Sequence, residues 1–290
     1  MSAAGLPEQD MPAGSLYVVG LPIGNLGDIT LRALWVLSKV DAVAAEDTRE
    51  TRKLLERFGL STKLLSVREH NERAGAEQIK RLLDAGERVA LVTDAGTPAV
   101  SDPGARVVDA LRTDGVRVIP IPGASAVVTA LSAAGLLGDG FRFVGFVAPQ
   151  PKARRAALAE LAAYAGPFVL YEAPHRIEAL LMDLGAALTP ARRVVVAREL
   201  TKKFETITTL CAQDLAKWAQ SHESRGEYVI LIDQEPPSVQ TIGEEARRWL
   251  KALASEVPSS RLAAAAAKAT GLPRQMLYDY LLEHKPQDDR

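Results

Sequence analysis

The sequence predicts an α/β fold, built as two successive α/β domains followed by a small helical region. Three observations carry that reading. Short apolar runs alternate with amphipathic stretches from Leu16 onward, as strands joined by crossover helices do. The pattern changes after the run LLGDG, around residues 137–140. The chain has 290 residues and is 47% hydrophobic, enough to fill the cores of two mid-sized domains.

Residues 1–14 precede the first apolar run and are expected to form a disordered tail. In the first domain, 15–137, the strand candidates are residues 16–19, 42–45, 63–67, 89–93 and 116–121. Helices are expected between them, for example at 77–83, where Ile79, Leu82 and Leu83 share one face. Five strands in about 105 residues make one complete open sheet with helices on it. The second domain, 138–233, offers strands at 141–147, 168–171, 194–197, 205–210 and 228–232. Two of these, in VVVAREL and FETITTL, follow each other with no room for a helix, so they should pair antiparallel in a mixed sheet. QEPPSVQ at 234–240 reads as a linker, and 234–290 as linker plus helical module. There Ser260 is a plausible N-cap, Gly271 a helix stop and Pro273 the opening of a second helix. The outline is helix-turn-helix; an ordinary helical hairpin docked on the body or on a partner subunit reads the same residues equally well.

With 35 basic against 36 acidic side chains, net charge gives no reason to expect nucleic-acid binding, so any such contact must come from local patches. One patch is Lys152, Arg154 and Arg155; a weaker one is His175 with Arg176. No apolar run reaches the roughly 18 residues of a membrane span, and the first residues lack a basic start and an apolar stretch. A cytoplasmic location is expected. Cys211 is the single cysteine, which excludes an intramolecular disulfide and a cysteine zinc cluster.

The chemistry-bearing loops follow strand candidates, where open α/β sheets place their ligands. VVGLPIGNLGDITLRAL ends a strand at Gly20, continues through Gly24 and Gly27, and turns into a helix expected near Asp28. Its spacing, GxxxGxxG, is neither the dinucleotide fingerprint nor the phosphate loop, so nucleotide hydrolysis is disfavoured. LVTDAGTPAVSDPG crowds two aspartates, two glycines and two prolines into 94–104, which implies a fixed and unusual backbone path. Asp94 ends the strand; Asp102 reads as a functional carboxylate or as the cap of a helix starting at Pro103. Ser125, after Pro122 and Gly123, is a site residue or a helix cap. AAEDTRETR sets Glu46 and Asp47 beside Arg49, a pairing suited to a base and a substrate clamp, although Asp47 equally suits a cap. YEAPHRI brings Tyr171, Glu172, His175 and Arg176 to a strand-to-helix turn. No Ser/His/Asp order, HExxH or Cys/His spacing occurs, so no metal is expected.

Taken together and in order, VVGLPIGNLGDITLRA, AEDTRETRKLL, LVTDAGTPAVSDPG, PGASAVVTAL, VGFVA, YEAPHRI, RELTKKFET and RGEYVIL closely resemble the bacterial small-subunit (16S) rRNA cytidine 2′-O-methyltransferases, a branch of the tetrapyrrole methylase superfamily. The resemblance implies two α/β methylase domains with S-adenosylmethionine in the cleft between them, a small C-terminal helical module, and a homodimer. Matched motif by motif, it implies that Leu21, Pro22, Ile23, Gly24, Asp94, Gly96, Thr97, Val100, Ser125, Ala126, Tyr171 and Glu172 hold the cofactor. It implies Asp47 as the base that takes the ribose proton, with Lys203 and Glu205 in reserve. Arg49, Lys152, Arg154, Arg155 and Arg176 would hold phosphates of small-subunit rRNA or of the assembled 30S subunit. The rival readings are a methylase of corrin, porphyrin or diphthamide intermediates, and an RNA-binding module with an inactive cleft.

Overall fold

In the computed structural model, which describes residues 4–136, 140–222, 224–235 and 242–284, the apolar runs of the first half form β1 (Ser15–Val19), β2 (Ala42–Ala45), β3 (Lys63–Ser66), β4 (Val89–Val92) and β5 (Arg117–Ile121). They pair in parallel in the order β3-β2-β4-β1-β5. The inner strands β2 and β4, AVAA and VALV, are buried along their whole length because helices cover both faces. On one face lie α1 (Leu31–Leu37) and α2 (Thr48–Arg57); Trp35, Val36 and Leu55 pack there on Tyr17, Val19, Val43 and Val92. On the other lie α3 (Glu72–Asp84) and α4 (Ala105–Thr113), with Ile79, Leu83, Val107 and Leu111 on Leu16, Ala44 and Leu91. Each fully buried Leu, Ile or Val adds about 1.5–3 kcal/mol. Pro120 is accommodated because β5 is an edge strand, where a missing N–H costs no ladder bond.

Three local expectations are corrected here. The helix placed near Asp28 begins only at Leu31: the Asn25 side chain accepts from the Gly27 N–H and tightens residues 26–28 into a separate turn, and Thr30 caps α1 by accepting from Ala33 N–H at 3.0 Å. The strand expected from Val116 starts one residue later, because the Val116 N–H closes the end of α4 on Leu111 O. The segment expected to be a disordered tail is anchored from residue 4 onward. Leu6 is buried against Tyr17 and Trp35, Tyr17 Oη donates to Pro12 O, and Arg88 Nε donates to Met11 O.

After β5, α5 (Ala126–Ala134) leads to a second sheet of β6 (Arg142–Phe146), β7 (Phe168–Glu172), β8 (Arg193–Arg198), β9 (Thr206–Cys211) and β10 (Tyr228–Ile232), ordered β6-β7-β10-β8-β9. Only β6 and β7 are parallel; β8 and β9 pair antiparallel as expected from their short connection, and the sheet is mixed. One face packs on α6 (Pro151–Ala162), α7 (Ile177–Ala187) and α8 (Leu215–Ser221) through Leu158, Leu180, Leu184 and Leu215. The other face receives α5, whose Val127, Ala130 and Ala134 meet Val169, Val195, Val229 and Leu231. A helix that follows the first sheet in sequence is thus buried on the second, which fixes the two sheets to each other. Arg192 is fully buried beneath this sheet: its guanidinium lies over the Phe168 ring and donates to the carbonyls of Ala162, Tyr164 and Gly166, while Nε donates to Asp233 O.

The expected boundary at 137–138 falls on residues 137–139, and the expected linker runs into 236–241; both stretches lie outside the described residues. The chain divides into two compact units, Met1–Pro236 and Pro237–Arg290. In the second, α9 (Glu244–Leu253), α10 (Ser259–Thr270) and α11 (Arg274–Glu283) close around Leu250, Leu262, Ala266, Leu277 and Leu281. Gly271 ends α10 with φ +71°, as a left-handed stop requires, and Pro273 immediately precedes α11. Ser260 is not the cap: α10 already begins at Ser259, behind Pro258.

Candidate active site

Three backbone loops at the carboxyl ends of β1, β4 and β5 are stitched together. Gly20 and Gly123 touch through their backbones, and a Cβ on Gly123 would stand 2.6 Å from Gly20 O, so neither position tolerates a side chain. Leu21 and Gly96 exchange N–H···O bonds of 2.8 and 3.2 Å, with Gly96 at φ +71°. Thr97 Oγ1 donates to Ala124 O at 3.1 Å. Beyond it, Ala99 (φ +69°) and Ser101 (φ +61°) adopt left-handed backbone, uncommon for residues with a side chain. The return to α4 is pinned by the buried Glu72 carboxylate, which accepts the Gly104 N–H at 2.6 Å. Gly104, not Asp102, is the residue before α4, so the capping alternative for Asp102 is withdrawn.

These loops and the facing edge of the second sheet enclose a cleft of about 450 Å³. Ile23, Asp94, Gly96, Thr97, Val100, Ser125, Ala126, Tyr171 and Glu172 line it. Ser125 precedes α5 without a side-chain cap bond. Tyr171 Oη accepts the Val127 N–H at 3.0 Å, and the rings of Phe143 and Phe146 meet Tyr171 edge-on at 5.0 and 5.8 Å. Leu21 instead borders a neighbouring groove along α2. Pro22 and Gly24 do not line the cleft; Gly24 (φ +146°) lies against Lys202, whose carbons stand 2.6 Å from where a Cβ would be. Lys202, Glu227, Phe146 and Leu200 also line the cleft and were not singled out as site residues, although the motifs RELTKKFET, RGEYVIL and VGFVA that contain them carry the family resemblance. Glu46 and Asp102 line it as well. Both sat in loops the sequence had singled out.

The cleft is rich in carboxylates, and their environments disfavour charge. Burial, then the neighbouring Asp94 carboxylate, raises the Glu46 pKa. Burial raises that of Glu172, whose Oε1 accepts the Ala173 N–H at 2.8 Å and lies 3.1 Å from Arg176 Nε, while Oε2 has no partner. Asp102 meets solvent across the cleft mouth but is surrounded by protein on its other sides, and this desolvation together with Glu46, Asp94 and Glu227 pushes its pKa up to about 6. Among the described residues one cation lines the cleft: Lys202 Nζ, bound to Glu199 at 2.9 Å and Glu227 at 2.8 Å. Burial alone would lower its pKa, but those two bonds raise it. Such a pocket favours a cationic ligand with an apolar flank. Among the described residues no three His, Cys, Asp or Glu converge as metal ligands.

Several side chains singled out in the sequence lie elsewhere. Asp47 caps α2, accepting Arg49 N–H at 2.8 Å and the Arg49 guanidinium at 3.0 and 2.5 Å, and this partner holds its carboxyl far below the ordinary range. So committed, it is a weak proton acceptor and does not line the cleft. Lys203 reaches over the exposed Phe204 ring, and Glu205 accepts the Thr201 N–H; neither lines the cleft. Arg154 is 6% exposed and bound to Asp183 at 2.8 Å, and Arg176 donates to Val147 O beside Glu172, so both brace the second half and are not free for phosphates. Arg49, Lys152 and Arg155 remain solvent-exposed.

Residues 15–216 match the family described as Tetrapyrrole (Corrin/Porphyrin) Methylases, and residues 240–285 match the RsmI C-terminal HTH domain. The chain is 48% identical to the "Ribosomal RNA small subunit methyltransferase I" of Neisseria meningitidis serogroup A, over 94% of each chain. It is 43% identical to that of Escherichia coli O157:H7, over 95% of this chain and 97% of that one. Among solved structures, the methyltransferase CobJ matches with a TM-score of 0.58 at 20% identity, over 80% of this chain and 98% of that chain. A uroporphyrin-III C-methyltransferase from Thermus thermophilus, complexed with S-adenosyl homocysteine, matches with a TM-score of 0.53 at 20% identity, over 76% and 97%.

Proposed function

The chain belongs to the tetrapyrrole methylase family, in its ribosomal RNA small subunit methyltransferase I branch, and from that premise we propose that it moves a methyl group from S-adenosylmethionine to the 2′-hydroxyl of a cytidine ribose in small-subunit rRNA. One observation carries the reading: a cleft walled by stitched backbone loops and lined by Glu46, Asp94, Asp102, Glu172 and Glu227 against the paired Lys202 suits a donor that is positively charged at sulfur. The donor, when bound, supplies an electrophilic methyl group and a neutral thioether leaving group. The backbone of Gly96, Thr97, Ser125 and Ala126 would shape its bed, Ile23 and Val100 would flank it, and the carboxylates would face its positive charge. Wall residues from both sheets exclude water from one side of the reacting atoms and set their approach, which is the main lever for a direct transfer. Exposed Arg49, Lys152 and Arg155 remain for the RNA backbone. Action on a ribosomal substrate would place its work in the cytoplasm.

The test incubates the full chain with methyl-labelled S-adenosylmethionine and unmodified 30S subunits, then digests the RNA to nucleosides. Label on the ribose of a cytidine is expected. Label on a base, or transfer only to a tetrapyrrole supplied as competitor, contradicts the assignment.

A further inference from the structure

We propose that Asp102 is the group that takes the proton from the acceptor hydroxyl, an assignment that rests on the ribose being the nucleophile. Among the described residues it is the one cleft carboxylate with no hydrogen bond or ion pair to the protein. Its neighbours are engaged: Asp94 accepts the Asp47 N–H at 2.9 Å, Glu46 accepts the backbone N–H of Asp94, Glu227 holds Lys202, and Glu172 holds Ala173 and Arg176. A cleft carboxylate that is exposed and has no protein partner is the one able to receive a proton from a ligand.

The backbone around it is built to present it. Ala99 and Ser101 carry left-handed φ, and the Glu72–Gly104 bond anchors the loop from below. Ser101 rests on the second sheet at Gly145 (φ +74°), where a Cβ would stand 2.7 Å from Ser101 Oγ. Left-handed backbone at two non-glycine residues two apart is hard to explain by connection alone, since α4 needs no such path to begin.

The groups facing Asp102 are acidic or neutral: Glu46 at the end of β2, Asp94 at the end of β4, Glu227 before β10 and Tyr171 on β7. Lys202 lines the same cleft but is neutralised by Glu199 and Glu227. These surroundings push the carboxyl pKa up to about 6, so that at neutral pH it is ionised yet more basic than an ordinary carboxylate. As the ribose oxygen forms its bond to the methyl carbon, the pair of the breaking carbon–sulfur bond stays on sulfur. The hydroxyl proton passes to Asp102, so the positive sulfur and the negative carboxylate both end neutral.

The experiment compares wild type, Asp102→Asn, Asp102→Glu and Asp47→Asn on 30S subunits under single turnover, across pH. Asp102→Asn should slow transfer about 100-fold or more and lose the acid limb, which the bound cationic donor places below pH 6, while Asp102→Glu regains part of the rate and Asp47→Asn stays within about threefold of wild type. A second readout needs no RNA. A cation bound beside Asp102 favours its ionised form, so calorimetry of S-adenosylmethionine binding near pH 6 in buffers of different ionisation heat should show proton release that shrinks in Asp102→Asn. Ribose labelling by wild type with an unchanged rate, pH profile and proton release in Asp102→Asn overturns the inference alone. Absence of ribose labelling by wild type overturns the function it rests on.

Discussion

At residue 102, charge is held where the fold disfavours it, and this has a consequence for stability independent of catalysis. The folded carboxyl has a pKa of about 6 against an ordinary 3.8, so the native state binds the proton more tightly than the unfolded chain. Stability from this group is therefore complete below about pH 4 and is lost as pH rises through 6. Asp102→Asn, which stays neutral, should melt above wild type at pH 8 and level with it at pH 4, as scanning calorimetry at the two pH values would show. A lower Tm at both would mean that Asp102 serves the fold. Sequence alone located Asp102 and Asp47 in their loops but did not show which carboxylate is engaged as a cap and which faces the cleft. Whether a carboxylate is capped, paired or open depends on partners such as Arg49, two residues away with a particular rotamer, and on Glu46, Asp94 and Glu227, which only the tertiary fold brings near.

Among the elements, the parallel strands were the easiest to read, because AVAA and VALV can be buried on both faces only under crossover helices. Helix starts were harder. Asn25 and Thr30 both carry capping side chains, and both are used, one for a separate turn and one for α1, so the first plausible start was not the true one. Arg192 gave no signal, since the first of two arginines before VVVA looks like a strand flank. It is fully buried and donates to the carbonyl of the last residue of α6, to two carbonyls between α6 and β7, and to that of Asp233 beyond β10. Arg192→Met keeps the volume and removes the donors, and should cost about 3–5 kcal/mol in urea unfolding at an unchanged m-value. A loss below about 1 kcal/mol would show that water replaces the guanidinium.

Across the whole molecule, the two sheets are joined by α5, which belongs to the first in sequence and to the second in packing, and the cleft lies where the loops of both meet. The motif order made the family legible, because the glycine and proline positions that force those loops are local. The faces offered to RNA were not: of the basic patch on α6, Arg154 points inward to Asp183 while Lys152 and Arg155 point out. Replacing Lys152 and Arg155 together by alanine should make the salt dependence of RNA binding shallower by about 1.5 in log–log slope, taking about 0.7–0.9 per phosphate contact. Parallel lines for the variant and wild type would remove α6 from the RNA face.

The central claim is that the carboxylate-lined cleft takes up a methyl donor charged at sulfur. Titration of the folded full-length chain with S-adenosylmethionine in a calorimeter tests it most directly, with Gly96→Val as the control, since a branched side chain at φ +71° would disturb the loop that shapes the bed. The account predicts saturable binding at one site per chain, abolished by Gly96→Val. Absence of binding to folded wild type, or undiminished binding to Gly96→Val, would contradict it.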